Sequence, residues 1–141
     1  MRIYAVADIH ARQRRLDCIS ANVNRLSPDL VVVAGDLTSY RASPFVVRHL
    51  AKLPVPVFAI RGNTDRKLIG RQISRSAGIS SDDMPPTHHT AFNIVGLNGT
   101  VPLPFRSRIA LRENRLLRAI APLVSPKTIL VAHTPPWGIL D

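Results

Sequence analysis

Four short stretches of this sequence carry residues able to bind a metal: Asp8-Ile9-His10, Gly35-Asp36, Gly62-Asn63-Thr64-Asp65 and, near the end, His133. Each follows an apolar run that reads as a strand. In an open α/β sheet, ligands gather at the carboxyl ends of the strands. Asp8, His10, Asp36, Asn63 and His133 would then project into one crevice. The set offers two carboxylates, one amide oxygen and two imidazoles. Such a mixed oxygen and nitrogen set suits Mn, Fe, Zn or Ni rather than calcium or a thiolate-loving ion. A carboxylate can bridge two ions ~3.5–4 Å apart, and such a pair can activate a shared water and clamp a phosphate. Asp36 is the natural bridge, with neighbours on both sides of it. Gly35 and Gly62 let the chain turn sharply and approach the site closely. Taken singly, Gly-Asp and Gly-Asn are common turn dipeptides. Asp65 reads as a helix N-cap and as an acceptor behind the ligands.

The elements that position these residues follow from the apolar pattern. Ile3–Val6 is a short buried strand, and Leu30–Ala34 is a continuous β-branched one ended by Gly35. Val55–Ile60 is a third, with Pro56 at its start or on an edge. Leu16, Ile19, Val23 and Leu26 recur every three or four residues, which predicts a helix over 12–26. Cys18 within it reads as a small buried hydrophobe. Ser43-Pro44 marks the start of a second helix carrying Phe45, Val46, His49 and Leu50. A third runs from Asp65 to about Ser76 and ends at Gly78. Residues 79–91, with Pro85-Pro86, read as a loop that includes His88-His89. A weaker strand at Ala91–Leu97, a helix at Ile109–Leu123 and a last strand at Thr128–Ala132 complete the pattern. Apolar runs alternating with helices are the α/β signature.

The chain has 141 residues, one domain's worth. Hydrophobic residues make up 45% and charged residues 20%, which excludes wholesale disorder. One cysteine excludes an internal disulfide and a Cys-rich zinc module. No apolar run approaches the ~20 residues of a membrane helix, and no secretory signal is visible. A soluble cytoplasmic protein is expected. The net charge of +10 makes nucleic acid a conceivable partner. That reading is not favoured, because 16 of the 19 basic residues are arginines scattered along the chain. Only Arg12, Arg14 and Arg15 cluster, and they read as a solvated helix face.

Asp8-x-His10, Gly35-Asp36, Gly62-Asn63-x-Asp65 and His133, in that order, resemble the calcineurin-like metallophosphoesterases. Ala7, Arg61 and the run Thr134-Pro135-Pro136-Trp137-Gly138 also fit, so the resemblance covers the whole chain. It implies a metallophosphoesterase-type α/β sandwich of two sheets and two divalent metal ions, with Mn first among the four named above. Asp8 and His10 would hold one metal, Asn63 and His133 the other, and Asp36 both. Asp36, Asn63 and Asp65 are the residues expected to serve catalysis. The implied reaction is hydrolysis of a phosphomonoester or phosphodiester through a water bridging the metals.

Two departures modify that expectation. Thr64 stands where the family usually has a histidine that assists the leaving oxygen. Threonine cannot act as an acid near neutral pH, and losing such a group costs ~10²–10⁴ in rate. The family's Gly-His-x-His also has no counterpart, since no histidine follows His133. The single domain over 1–141 is therefore expected to be C-terminally truncated, with an incomplete second sheet that leaves apolar area and a strand edge exposed. The chain would be a fragment, a member completed by a homo-oligomer or a second chain, or a remnant with a weakened site. His88-His89 is a conceivable substitute for the missing ligands. The alternative function is a non-catalytic, basic binding or assembly module on the same fold.

Overall fold

A computed structural model describes residues 1–41, 43–76, 79–80, 87–89, 92–97, 118 and 120–133. The structure is an α/β sandwich of two sheets. The larger is parallel, in the order β1(Ile3–Val6), β2(Leu30–Ala34), β3(Val57–Ile60) and β4(Ile79–Ser80). Between successive strands run α1(Gln13–Leu26), α2(Pro44–Leu50) and α3(Lys67–Arg75). Right-handed crossovers in a sheet of sequential order put all three helices on one face. The second sheet is smaller: β5(Thr87–His89), β6(Phe92–Leu97) and β7(Thr128–Ala132), with β5 antiparallel and β7 parallel to β6.

The side-chain alternation of the central strands explains the layering. Val31, Val33, Val57 and Ala59 point to the helices, where they meet Leu16, Ile19 and Val23 of α1, Val46, Val47 and Leu50 of α2, and Ile69 and Ile73 of α3. Leu30, Val32, Phe58 and Ile60 point the other way, onto Ile94 of β6 and Val131 of β7. Strands buried on both faces need unbroken apolar runs, which is what Leu30–Ala34 and Val57–Ile60 are. Pro56 precedes β3, and its carbonyl accepts the Val31 N–H at 3.0 Å, so the missing donor costs the ladder nothing.

Several sequence expectations need correction. Residues 79–80 and 87–89 form strands, so His88 and His89 lie on β5, in register with Asn93 and Phe92. The last strand pairs with β6 rather than joining the first three. β3 and α3 each begin two residues later than expected, so Arg66, and not Asp65, is the N-cap of α3. Cys18 is exposed, because it falls off the Leu16–Ile19–Val23 stripe of α1. The end of α3 at Gly78, most of the Ile109–Leu123 helix and the 134–138 run lie outside the described residues. Of that helix, Ala121–Leu123 is a 3-10 turn. Leu130 on β7 is 47% exposed. No described helix is long and apolar enough to cross a membrane.

α1 ends at Ser27, whose φ of 44° and ψ of 60° lie in the left-handed region that favours glycine. Its N–H donates to the Val23 carbonyl at 2.9 Å. Ser27→Gly keeps that backbone bond and relieves the strain. It should raise stability by about 0.5–1 kcal/mol, read as a shift in the urea unfolding midpoint at unchanged slope.

Candidate metal centre

The loops after β1, β2 and β3 converge at the carboxyl edge of the parallel sheet, and His133 arrives there directly after β7. The first two loops are laced together by backbone hydrogen bonds. Asp8 N–H donates to the Gly35 carbonyl at 3.2 Å, His10 N–H to Asp36 at 2.9 Å and Ala11 N–H to Leu37 at 2.8 Å. Arg15 reaches back from α1 to donate to the Asp8 carbonyl. These bonds hold four non-glycine residues, Asp8, His10, Ala11 and Asp36, at φ between 52° and 57°. Such left-handed conformations persist only where the surroundings over-determine them, and they cluster at functional sites.

Asp36 sits at the centre, with only 5% of its side chain exposed. Its two oxygens face different groups. Oδ2 lies 3.7 Å from His10 Nε2. Oδ1 lies 3.4 Å from His133 Nε2 and accepts the Thr64 N–H at 2.9 Å. Asp8, more exposed, has Oδ1 3.4 Å from His10 Nε2. Asn63 Oδ1 is 3.2 Å from His133 Nε2. The structure thus brings together all five residues singled out as ligands. Ligand atoms of Asp8, Asp36 and His133 all lie within 4.8 Å of one another.

His133 is oriented by the sheet it faces. Its Nδ1 lies 2.8 Å from the Ala34 carbonyl oxygen, which can only accept. Nδ1 therefore donates to that carbonyl, and Nε2 is the nitrogen turned toward Asp36 Oδ1 and Asn63 Oδ1, where it would meet a metal. The donor set is hard and borderline, with acceptor oxygens and an imidazole nitrogen converging on one space, and it fits a divalent ion.

Asp65 lies beneath the ligands. Its Oδ1 accepts the Thr38 N–H at 2.7 Å and the Thr38 hydroxyl at 2.9 Å; its Oδ2 accepts the N–H groups of Leu37 and Gly62, each at 3.0 Å. It ties the Asp36 loop to the Asn63 loop. Thr64 is also turned inward: it is 8% exposed, and its hydroxyl donates to the Thr38 carbonyl. Arg61, next to Gly62, lies along α3, where Gly70 leaves room for its side chain. Sequence reading missed Thr38, the Ala34 carbonyl and the Arg15 contact. Only the order Gly-Asp-Leu-Thr offered a local hint of the first.

The family model for the calcineurin-like phosphoesterases matches residues 1–141. The chain belongs to that family. Among curated proteins, none matches the sequence. Solved structures share the family fold. The protein TT1561 of Thermus thermophilus superposes with a TM-score of 0.77 at 16% identity, over 99% of this chain and 71% of that one. A novel archaeal phosphodiesterase gives a TM-score of 0.54 at 16% identity, over 82% and 66%. AQ665 from Aquifex aeolicus, a protein of unknown function, gives 0.51 at 15% identity, over 86% and 73%. Identities this low establish the fold and not the substrate. The family is one of metal-dependent phosphoesterases, and Asp8, Asp36 and His133 form a cluster that could hold a metal ion.

Proposed function

We propose that the chain hydrolyses phosphate esters at a centre of two divalent metals, with Mn first among Mn, Fe, Zn and Ni. The observation that carries this reading is the Asp36 carboxylate, whose two oxygens face His10 on one side and His133 on the other. Asp8 and His10 would hold one ion, Asn63 and His133 the second, and Asp36 both. Bound divalent ions supply activation of water and neutralisation of phosphoryl charge.

The chain's own residues do the positioning. The Ala34 carbonyl fixes the His133 ring, and the Thr64 N–H fixes Asp36. Asp65 serves from behind the ligands by holding both loops in place. Thr64 supplies no proton to a leaving group, because its hydroxyl is bonded to the Thr38 carbonyl. Substrates with acidic leaving groups, such as nitrophenolate, need no such proton and should react best.

The test is hydrolysis of p-nitrophenyl phosphate and bis(p-nitrophenyl) phosphate by the full chain, with Mn²⁺ and after chelation. Metal-dependent turnover is expected with the wild type. Asp36→Asn, which keeps the shape but removes the charge between the imidazoles, should lower it by on the order of 100-fold or more. Turnover that survives this change would remove Asp36 from the centre. Turnover indifferent to chelation would remove the metals.

A further inference from the structure

Beyond the centre itself, one exposed aromatic residue on its rim is held by backbone hydrogen bonds in a left-handed conformation. Tyr40 has φ of 51°, a left-handed value that is uncommon for any residue but glycine, asparagine or aspartate, and an outlier for a bulky one. The Arg41 N–H donates back to the Ser39 carbonyl, so Tyr40 is the apex of a tight three-residue turn. The ring is not held for the core, since Tyr40 is 58% exposed.

The place of this turn is specific. Ser39 donates from its hydroxyl to the His10 carbonyl at 3.3 Å. Tyr40 N–H donates to the Thr64 carbonyl at 3.0 Å. Thr64 N–H in turn donates to Asp36 Oδ1. The apex is therefore pinned between the loop carrying His10 and the loop carrying Asn63, and it is linked to the central carboxylate through Thr64. An exposed aromatic in a left-handed conformation at such a point is free to meet a group attached to a phosphate bound at the centre.

We infer that Tyr40 is a specificity-determining contact that receives a flat, π-faced group attached to the substrate's phosphate, either an aryl ring or a nucleobase. The inference rests on the phosphoesterase reading and adds the class of ester. Stacking on an aromatic side chain accepts any flat ring face.

The test is calorimetric binding to the Mn²⁺-loaded full chain, using phosphonates that cannot be hydrolysed. Methylphosphonate reports the head group alone. Phenylphosphonate and the 5′-methylenephosphonate of adenosine add a flat group, close to the phosphorus in one and beyond a sugar in the other. The wild type should bind at least one flat ligand about five- to tenfold more tightly than methylphosphonate. Which one it prefers identifies aryl or nucleoside as the source. Tyr40→Asn removes the ring but tolerates the left-handed backbone, and should reduce the preference to within about twofold. Tyr40→Phe should keep it. If the wild type binds methylphosphonate yet shows no preference, or if the preference survives Tyr40→Asn, the inference fails and the phosphoesterase reading stands. A Tyr40→Asn chain that weakens all three ligands equally also overturns it, since the residue then serves the loop and not the ring. Failure of the metal-loaded wild type to bind any phosphonate overturns both.

Discussion

Gly62→Ala should empty the metal centre and destabilise the fold together. A Cβ at Gly62 would overlap the Asp36 carboxylate oxygen and the Asp36 backbone nitrogen, with the carboxylate carbon only 2.8 Å away. Backbone cannot swing aside as a flexible side chain can. Gly35 on the facing loop leaves no slack either, since a Cβ there would lie 2.8 Å from the Gly62 Cα. The loops after β2 and β3 meet glycine to glycine, and the alanine must push Asp36 out of position. Overpacking of this kind costs about 1–3 kcal/mol, occasionally more, and here the upper end is expected. The displaced carboxylate is also the group that faces both imidazoles. Elemental analysis should find the variant without retained metal, and its thermal midpoint should fall. An alanine variant with wild-type metal content and stability would refute the close loop contact.

Asp65→Ala should be the most destabilising single change among the polar residues of the site. Asp65 is 6% exposed, and each of its oxygens accepts two hydrogen bonds. Truncation leaves the N–H groups of Leu37, Thr38 and Gly62 without partners in a buried place. Hydrogen bonds to a charged group contribute about 1.5–3 kcal/mol each and are not additive. A loss of about 3–5 kcal/mol is expected, a large share of the 5–15 kcal/mol typical of a domain. Asparagine should not rescue it. Whichever oxygen becomes an amide NH₂ must face a backbone N–H, because both oxygens accept one. Urea unfolding of both variants reads this directly. An asparagine variant within about 0.5 kcal/mol of the wild type would contradict the double-acceptor geometry.

These two cases also mark what the sequence made legible. That the five candidate ligands would converge was readable because each sits at the end of an apolar run, where an α/β sheet collects ligands. Both faces of β2 and β3 were readable as buried from their unbroken runs. What lies on each face was not. His133 meets the Ala34 carbonyl from a different sheet, across 99 residues of chain, and no local pattern encodes that pairing. Asp65 misled for a related reason. It has the type and position of a helix cap, but its partners Leu37 and Thr38 are 28 and 27 residues away. Cys18 was a readable miss, since its phase on α1 already put it off the buried stripe. The strand at 87–89 eluded the pattern because Thr-His-His carries no apolar run. Its pairing with β6 overrides weak local propensity.

The measurement that bears most directly on the centre is metal content per chain. The full 141-residue protein would be supplied with Mn²⁺, freed of loosely bound ions by gel filtration and analysed for metal beside Asp36→Asn. If the five strand-end residues form a metal centre, the wild type should retain about one to two equivalents and Asp36→Asn close to none. A wild type that retains no metal, or an Asp36→Asn chain that retains as much as the wild type, would contradict it.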